Sequence, residues 1–276
     1  KFNLIAGLRL DWFSETKLMH LSPKLGLMYK LGCCSLRGSY AGGFRAPTLK
    51  EMYMNFYMGN IFMIYGNPDL RPESSHNFSL SAEYMNGRHN LTVTGFYNIV
   101  DGRIATAWNQ ALGGQVYTNM SRLQVAGVDA NASGSYPCGI SWRLSYAYTY
   151  EHIRKGEPML SSTRPHTATA RIAYDKDWKN YGLSVALSGR YLSKVTTDVY
   201  TEFTSYEKTE KQTYPGYTIW KLSLSQRVWR GVSVTLAVDN LFNYRPRYYY
   251  SNSPATTGTV CLAGLSLDIE QMFKKK

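Results

Sequence analysis

Apolar and polar residues alternate one by one through segment after segment of this chain, and that period leaves very few folds open. In residues 89–100, Leu91, Val93, Tyr97 and Ile99 share one face while Asn90, Thr92, Thr94 and Asn98 share the other. Residues 140–151 set Trp142, Leu144, Tyr146, Tyr148 and Tyr150 against Arg143, Ser145, Ala147 and Thr149. Farther on, Leu183, Val185, Leu187 and Tyr191 oppose Ser184, Ser188 and Arg190, and Trp220, Leu222, Leu224 and Val228 oppose Lys221, Ser223, Ser225 and Arg227. Val232, Val234, Leu236 and Val238 then oppose Ser233, Thr235 and Asp239. Side chains alternate across a β-strand with a period of two, so each segment reads as a strand with one oily and one wet face. No apolar run approaches the ~20 residues of a spanning helix, which excludes a helical membrane protein.

Alternation suits a soluble sandwich and a membrane barrel equally, because both accept Ser, Thr and Arg opposite the apolar face. Three features favour the barrel. Aromatics gather near strand ends, at Tyr146 to Tyr150, Trp220, Trp229 and Tyr248 to Tyr250, as in interfacial girdles. The strands are longer than those usual in soluble sheets. Connections also alternate in length. Short links occur at Gly32–Cys33, Asn86–Gly87–Arg88, Pro137–Cys138–Gly139, Trp178–Lys179–Asn180 and Arg230–Gly231, and long loops run over 46–73, 103–115, 152–165, 195–212 and 245–258. Short periplasmic turns with long external loops are the habit of outer-membrane barrels. The expected fold is all-β, an antiparallel transmembrane β-barrel contributing about twelve strands. Such a sheet has to close or continue, since unpaired backbone groups in hydrocarbon are costly.

Composition narrows the function. The formal charge of +12 comes from Lys and Arg dispersed along the 276 residues rather than gathered in a block, which argues against nucleic acid and for a basic loop surface or wet lumen. The 23 Tyr and 6 Trp suit a water–lipid boundary. Cys33, Cys34, Cys138 and Cys261 lack metal-ligand spacing and are expected to be incidental. No signal peptide opens the chain, which starts inside a strand, so a fragment of a longer protein is expected.

Gly43-Phe44-Arg45-Ala46-Pro47, a long loop, and Gly66-Asn67-Pro68-Asp69-Leu70-Arg71-Pro72-Glu73 resemble paired motifs of the TonB-dependent receptors, in particular their haem-uptake branch and the Bacteroides type. Asn119 and Gly127-Val128-Asp129, then Arg164-Pro165-His166-Thr167, Pro215-Gly216-Tyr217 and Val238-Asp239-Asn240-Leu241-Phe242-Asn243 continue the resemblance in order. The resemblance implies that residues 1–276 are the C-terminal part of a barrel of about 22 strands, without its N-terminal plug. It also implies a place in the outer membrane of a Gram-negative bacterium. Uptake of a scarce iron-containing nutrient would be energised by the TonB complex, reached through the missing N-terminal region. Haem is the leading cargo, with cobalamin and ferric siderophore as alternatives and a surface haem-binding lipoprotein as a further partner.

The loop between the paired motifs, residues 52–65, is rich in Met and aromatics and exposes apolar surface unless it packs on a partner or ligand. Tyr53, Tyr57, Met58, Met63 and Tyr65 are the ligand candidates, with Tyr57 or Met58 as a haem-iron ligand. The haem branch usually places a His here and this chain has none between Phe44 and Leu70, so His76 is the nearest substitute, although its strand position suits a lumen or turn residue better. Pro47, Pro68 and Pro72 end strands at the loop base. Arg45, Asn67, Asp69, Arg71 and Glu73 belong to the same loop-base motif, whose charged members are expected to brace it through charge-assisted hydrogen bonds. No intrinsic cofactor or metal site is expected. An enzyme built on Ser161, Ser162 and His166 lacks a nucleophile elbow. An adhesin would need neither girdles nor the ordered motifs. Phe273 is the expected C-terminal insertion signal.

Overall fold

A computed structural model describes residues 1–13, 18–59, 62–153, 163–178, 181–200, 209–229, 231–246, 258–269 and 272. Twelve strands form one antiparallel sheet: β1 (Phe2–Phe13), β2 (Leu18–Leu31), β3 (Cys34–Arg45), β6 (Glu73–Met85), β7 (His89–Asp101), β10 (Leu123–Ser135), β11 (Ile140–His152), β12 (His166–Asp177), β13 (Gly182–Leu192), β16 (Tyr217–Trp229), β17 (Val232–Asp239) and β18 (Val260–Leu267). They are hydrogen-bonded in chain order, with β1 and β18 at the two ends. Ser161, Ser162, Tyr248 to Tyr250 and Phe273 lie outside the described residues.

Register carries the alternation across the whole sheet. Leu27, Gly38, Leu80, Gly95, Val128 and Tyr148 are Cα partners in succession on six neighbouring strands and share one face. One residue along, Ser39, Ser79, Phe96, Gly127 and Thr149 form a row on the other face. The first face presents Leu8, Leu80 and Ile172 with more than half of their surface open. An exposed apolar area of this extent suits hydrocarbon and not water. One break occurs on β16, where the register shifts between Arg227 and Trp229. This bulge sets Trp229 opposite Val232 on the apolar face and leaves Val228 without a ladder partner; both side chains are more than half exposed.

The long connections are themselves folded. Residues 46–72 contain α1 (Leu49–Tyr53), β4 (Phe56–Met58) and β5 (Phe62–Tyr65), and the next loop contains β8 (Ile104–Asn109) and β9 (Gly114–Asn119). These strands build a second sheet in the order β4-β5-β9-β8, with β5 and β9 parallel. β14 (Val195–Tyr200) and β15 (Thr209–Tyr214) pair antiparallel in the long connection over 195–212. Met52, Leu70 and Ile104 make a small core under the loop sheet, with Tyr117 packed against it. The four cysteines are free and exposed.

Candidate functional site

The residues that carry the family resemblance meet at one rim of the sheet, where they tie loops to strand ends. Arg45 closes β3 opposite Glu73, the first residue of β6. Its guanidinium donates to Glu73 at 2.6 Å and to both oxygens of Glu51 at 3.0 Å. Glu73 also accepts the Ile104 amide at 2.6 Å, which draws in the neighbouring loop. Glu51 completes a capping box on α1 with Thr48, whose side chain accepts the Glu51 amide while the Thr48 amide donates back at 2.8 Å. Burial pushes the Glu51 carboxyl up, but the Thr48 amide and hydroxyl and the Arg45 guanidinium outweigh it and hold the group below the usual carboxylate range.

That shift has a sign in pH. A carboxylate with a depressed folded pKa adds stability that is fully present above its unfolded value, about 4.3, and is lost as pH falls through the folded value. The 46–72 loop is therefore expected to stay protected from protease down through the ordinary carboxylate range and to open only in stronger acid. Loss of protection already near neutrality would contradict the Glu51 anchor.

Asn67 and Asn119 supply the remaining ties. The Asn67 amide donates to the Glu51 carbonyl at 2.9 Å, and its side chain donates to the Tyr117 carbonyl at 3.0 Å. Asn119 brackets Arg71, accepting its amide and donating to its carbonyl at 2.8 Å each, and also donates to the Gly102 carbonyl at 2.7 Å. Gly66 passes so close to the α1 end that a Cβ there would lie 2.8 Å from the Met52 carbonyl and the Tyr53 nitrogen. The expected charged brace thus differs in membership. Among the described residues the Asp69 and Arg71 side chains make no ion pair; the second carboxylate is Glu51, and Arg71 is held through its backbone. Pro47 stands in the extended link between β3 and α1.

The later motifs are clamps of the same kind. Arg164, 4% exposed, donates to the carbonyls of Ser193 and, at 2.9 Å, Pro215, and lies over the Tyr217 ring at 5.0 Å. It therefore joins the base of its own connection to both ends of the 193–216 connection at one cation. The Asn240 side chain accepts the Tyr244 amide and donates to the Tyr244 carbonyl, both at 2.8 Å, while its own carbonyl accepts the Thr259 hydroxyl at 2.9 Å. Gly127 lies under the Phe96 ring of β7: a Cβ there would come within 2.4 Å of Phe96 and of the Tyr148 carbonyl. Sequence reading singled out Asn119, Arg164 and Asn240 only as parts of motifs; their roles depend on partners 48, 51 and 19 residues away.

The loop candidates stand on top of this rim. Tyr53, Tyr57 and Met58 are 63%, 66% and 51% exposed. Tyr57 pairs with Met63 across the β4–β5 ribbon, and Tyr65 shares their face. Met58, one residue on, points to the opposite face with Phe62, so Tyr57 and Met58 do not converge on one point. Tyr65 is half-buried, and its hydroxyl donates to the Leu112 carbonyl at 3.3 Å. His76 is elsewhere. Register places it on the apolar face opposite Ile99, one residue off the Asn77 and Ser75 face, and its Nδ1 is 2.9 Å from the Tyr40 hydroxyl. The expectation of a lumen or turn position for His76 is corrected by this parity, which also parts it from the loop candidates.

Known proteins share this architecture. The family model described as TonB dependent receptor-like, beta-barrel, matches residues 1–241. The iron-regulated outer membrane virulence protein of Vibrio cholerae serotype O1 is 26% identical over 270 residues, which cover 90% of this chain and 39% of that protein. Among solved structures, the siderophore receptor PirA from Acinetobacter baumannii superposes with a TM-score of 0.74 at 19% identity, over 96% of this chain and 43% of that one. The FrpB iron transporter from Neisseria meningitidis gives 0.73 at 20% identity, over 96% and 43%. The ferric enterobactin receptor PfeA from Pseudomonas aeruginosa gives 0.72 at 20%, over 88% and 38%. The chain thus spans well under half the length of these relatives. With the family match running over most of its residues, the chain belongs to the TonB-dependent receptors, a family of transport receptors rather than enzymes, as part of the β-barrel that holds them in the Gram-negative outer membrane.

Proposed function

We propose that this chain is the C-terminal wall of a receptor that takes up an iron chelate, with the loop sheet over residues 46–72 and 102–122 as ligand-contacting surface. The observation that carries the reading is the exposed Tyr53, Tyr57 and Met58 surface, mounted on a loop anchored to the rim through Arg45. Apolar and aromatic side chains left open on an anchored loop suit an aromatic, weakly hydrated ligand. The free edges of β1 and β18 fit a sheet that continues into further strands, and the relatives' greater length leaves room for those strands and for a plug. Coupling to TonB would run through that remaining part.

A ferric siderophore is the cargo we favour. Haem was the expectation from the paired motifs, but the loop sequence between Phe44 and Leu70 has no histidine and His76 is turned to the apolar face. PirA and PfeA are siderophore receptors by name, which adds weight to the same choice. Haem keeps one supporting observation, the exposure of Tyr57 and Met58, either of which is a competent axial ligand. Binding of a ferric catecholate to the detergent-purified receptor carrying this segment, followed by fluorescence quenching, separates the two. Joint replacement Tyr57→Ala and Met58→Ala removes the exposed side chain from both faces of the β4–β5 ribbon and is expected to weaken it by about tenfold, the loss of one aromatic or thioether contact on the face that meets the ligand, while heat-modifiable gel mobility is unchanged. Undiminished catecholate binding in the double variant would remove the loop from the site. A Soret shift on adding haem to the wild type, absent in the double variant, would replace the siderophore with haem.

A further inference from the structure

On the polar face of the sheet, farther along β11, β12, β13 and β16 than the Arg164 clamp, cations stand together, and among the described residues none of them is in an ion pair. Arg143 on β11 is the Cα partner of Arg171 on β12. Arg171 is opposite Ser188 on β13, and Ser188 is opposite Lys221 on β16. Arg190 lies two residues along β13, opposite Thr169. Three cations thus occupy one row across four strands, with a fourth beside it. With Thr169 and Ser188 they line a recess of about 340 Å³.

This grouping is unlike the rest of the face. Arg9 is paired with Asp11, Arg37 with Glu83, and Arg227 with Asp177. Among the described residues, none of the Arg143, Arg171, Arg190 and Lys221 side chains has a hydrogen-bond or ion-pair partner. Like charges directly opposite each other weaken a sheet, so the Arg143–Arg171 juxtaposition is a local cost without a local return. Two guanidinium forks side by side, a third nearby, an ammonium and two hydroxyls form a donor set that matches an oxyanion with several charges.

We propose that this row is an anion-binding station for a small multivalent oxyanion bearing carboxylate or phosphate groups. The proposal rests on the reading that the polar face lines a lumen, and it extends that reading with a second point of contact inside the wall. Exposed cations bind such an anion exchangeably and with steep dependence on salt, which suits a solute in passage. The same chemistry could be met by side-chain carboxylates of polypeptide filling the lumen, and the test separates these sources.

The receptor carrying this segment, in detergent at low ionic strength, is titrated with citrate as the probe while thermal unfolding is followed. A saturable rise of the midpoint with citrate is expected, and Arg143→Gln with Arg171→Gln should raise the half-saturating citrate by about tenfold. Arg9→Gln, which removes a polar-face cation paired to Asp11, should leave the response unchanged. No citrate response in the wild type, or an equal one in the Arg143 and Arg171 double variant, overturns the proposal. A double variant that unfolds earlier while the wild type ignores citrate also overturns it and assigns the row to resident carboxylates. The citrate response is read without any iron chelate, so a failure of the loop reading leaves this result intact.

Discussion

Arg164→Met should detach the loops that flank β12 and β13 while leaving the large sheet in place. The guanidinium is buried, donates to the Ser193 and Pro215 carbonyls and covers the Tyr217 ring. Methionine keeps much of the stem's apolar contact but supplies no donor, so two carbonyls at the base of the 193–216 connection lose a charged partner. Leaving a buried acceptor unmet costs about 1–3 kcal/mol, and Ser193 is the buried residue of the two, so local destabilisation of roughly 2–3 kcal/mol is expected with the loss of the charged contact. The measurement is limited proteolysis in detergent, with new cuts in 153–165 and 193–216 and normal heat-modifiable mobility. Arg164→Lys should fall between, since one ammonium cannot repeat the planar fork or the stacking. A cutting pattern identical to wild type in Arg164→Met would show that the clamp does not hold these loops.

Arg45→Met should have the next largest effect, and it acts on the loop proposed to meet the ligand. It strips the counter-charge from Glu51 and Glu73 together, and both carboxylates keep less than a fifth of their side-chain surface open. Removing one member of a buried ion pair costs about 3–5 kcal/mol, whereas exposed pairs are worth less than about 1 kcal/mol. Arg45 is itself 41% exposed, so solvent screening places the loss near 1–2 kcal/mol. Protease access to 46–72 and weakened chelate binding should appear together. Adding Glu73→Gln to Arg45→Met should recover part of the loss, because one stranded charge is then neutralised. Additive effects of the two replacements would mean that Arg45 and Glu73 are not coupled.

Strand count, turn positions and the division into apolar and polar faces were legible from residue spacing because they are local. A period of two needs only neighbouring residues, and a short turn needs only its own few. Leu91, Val93 and Tyr97 or Trp142, Leu144 and Tyr146 declare their face without any partner, and the ordered motifs name the family in the same linear way. Which residues act together is another matter. Pairing of Arg45 with Glu51, bracketing of Arg71 by Asn119, and the reach of Arg164 to Pro215 join positions 6, 48 and 51 residues apart. Nothing in the spacing told Glu51 from Asp69 as the partner, since both are acidic residues of one loop. His76 shares the face of Phe78 and Leu80 by the period of two along β6, a local signal that was there to be read. The loops acquired their own sheet because β5 found β9 in a different connection. Alternation is written in each strand alone, whereas a clamp or a row of cations exists only once register has set distant strands side by side.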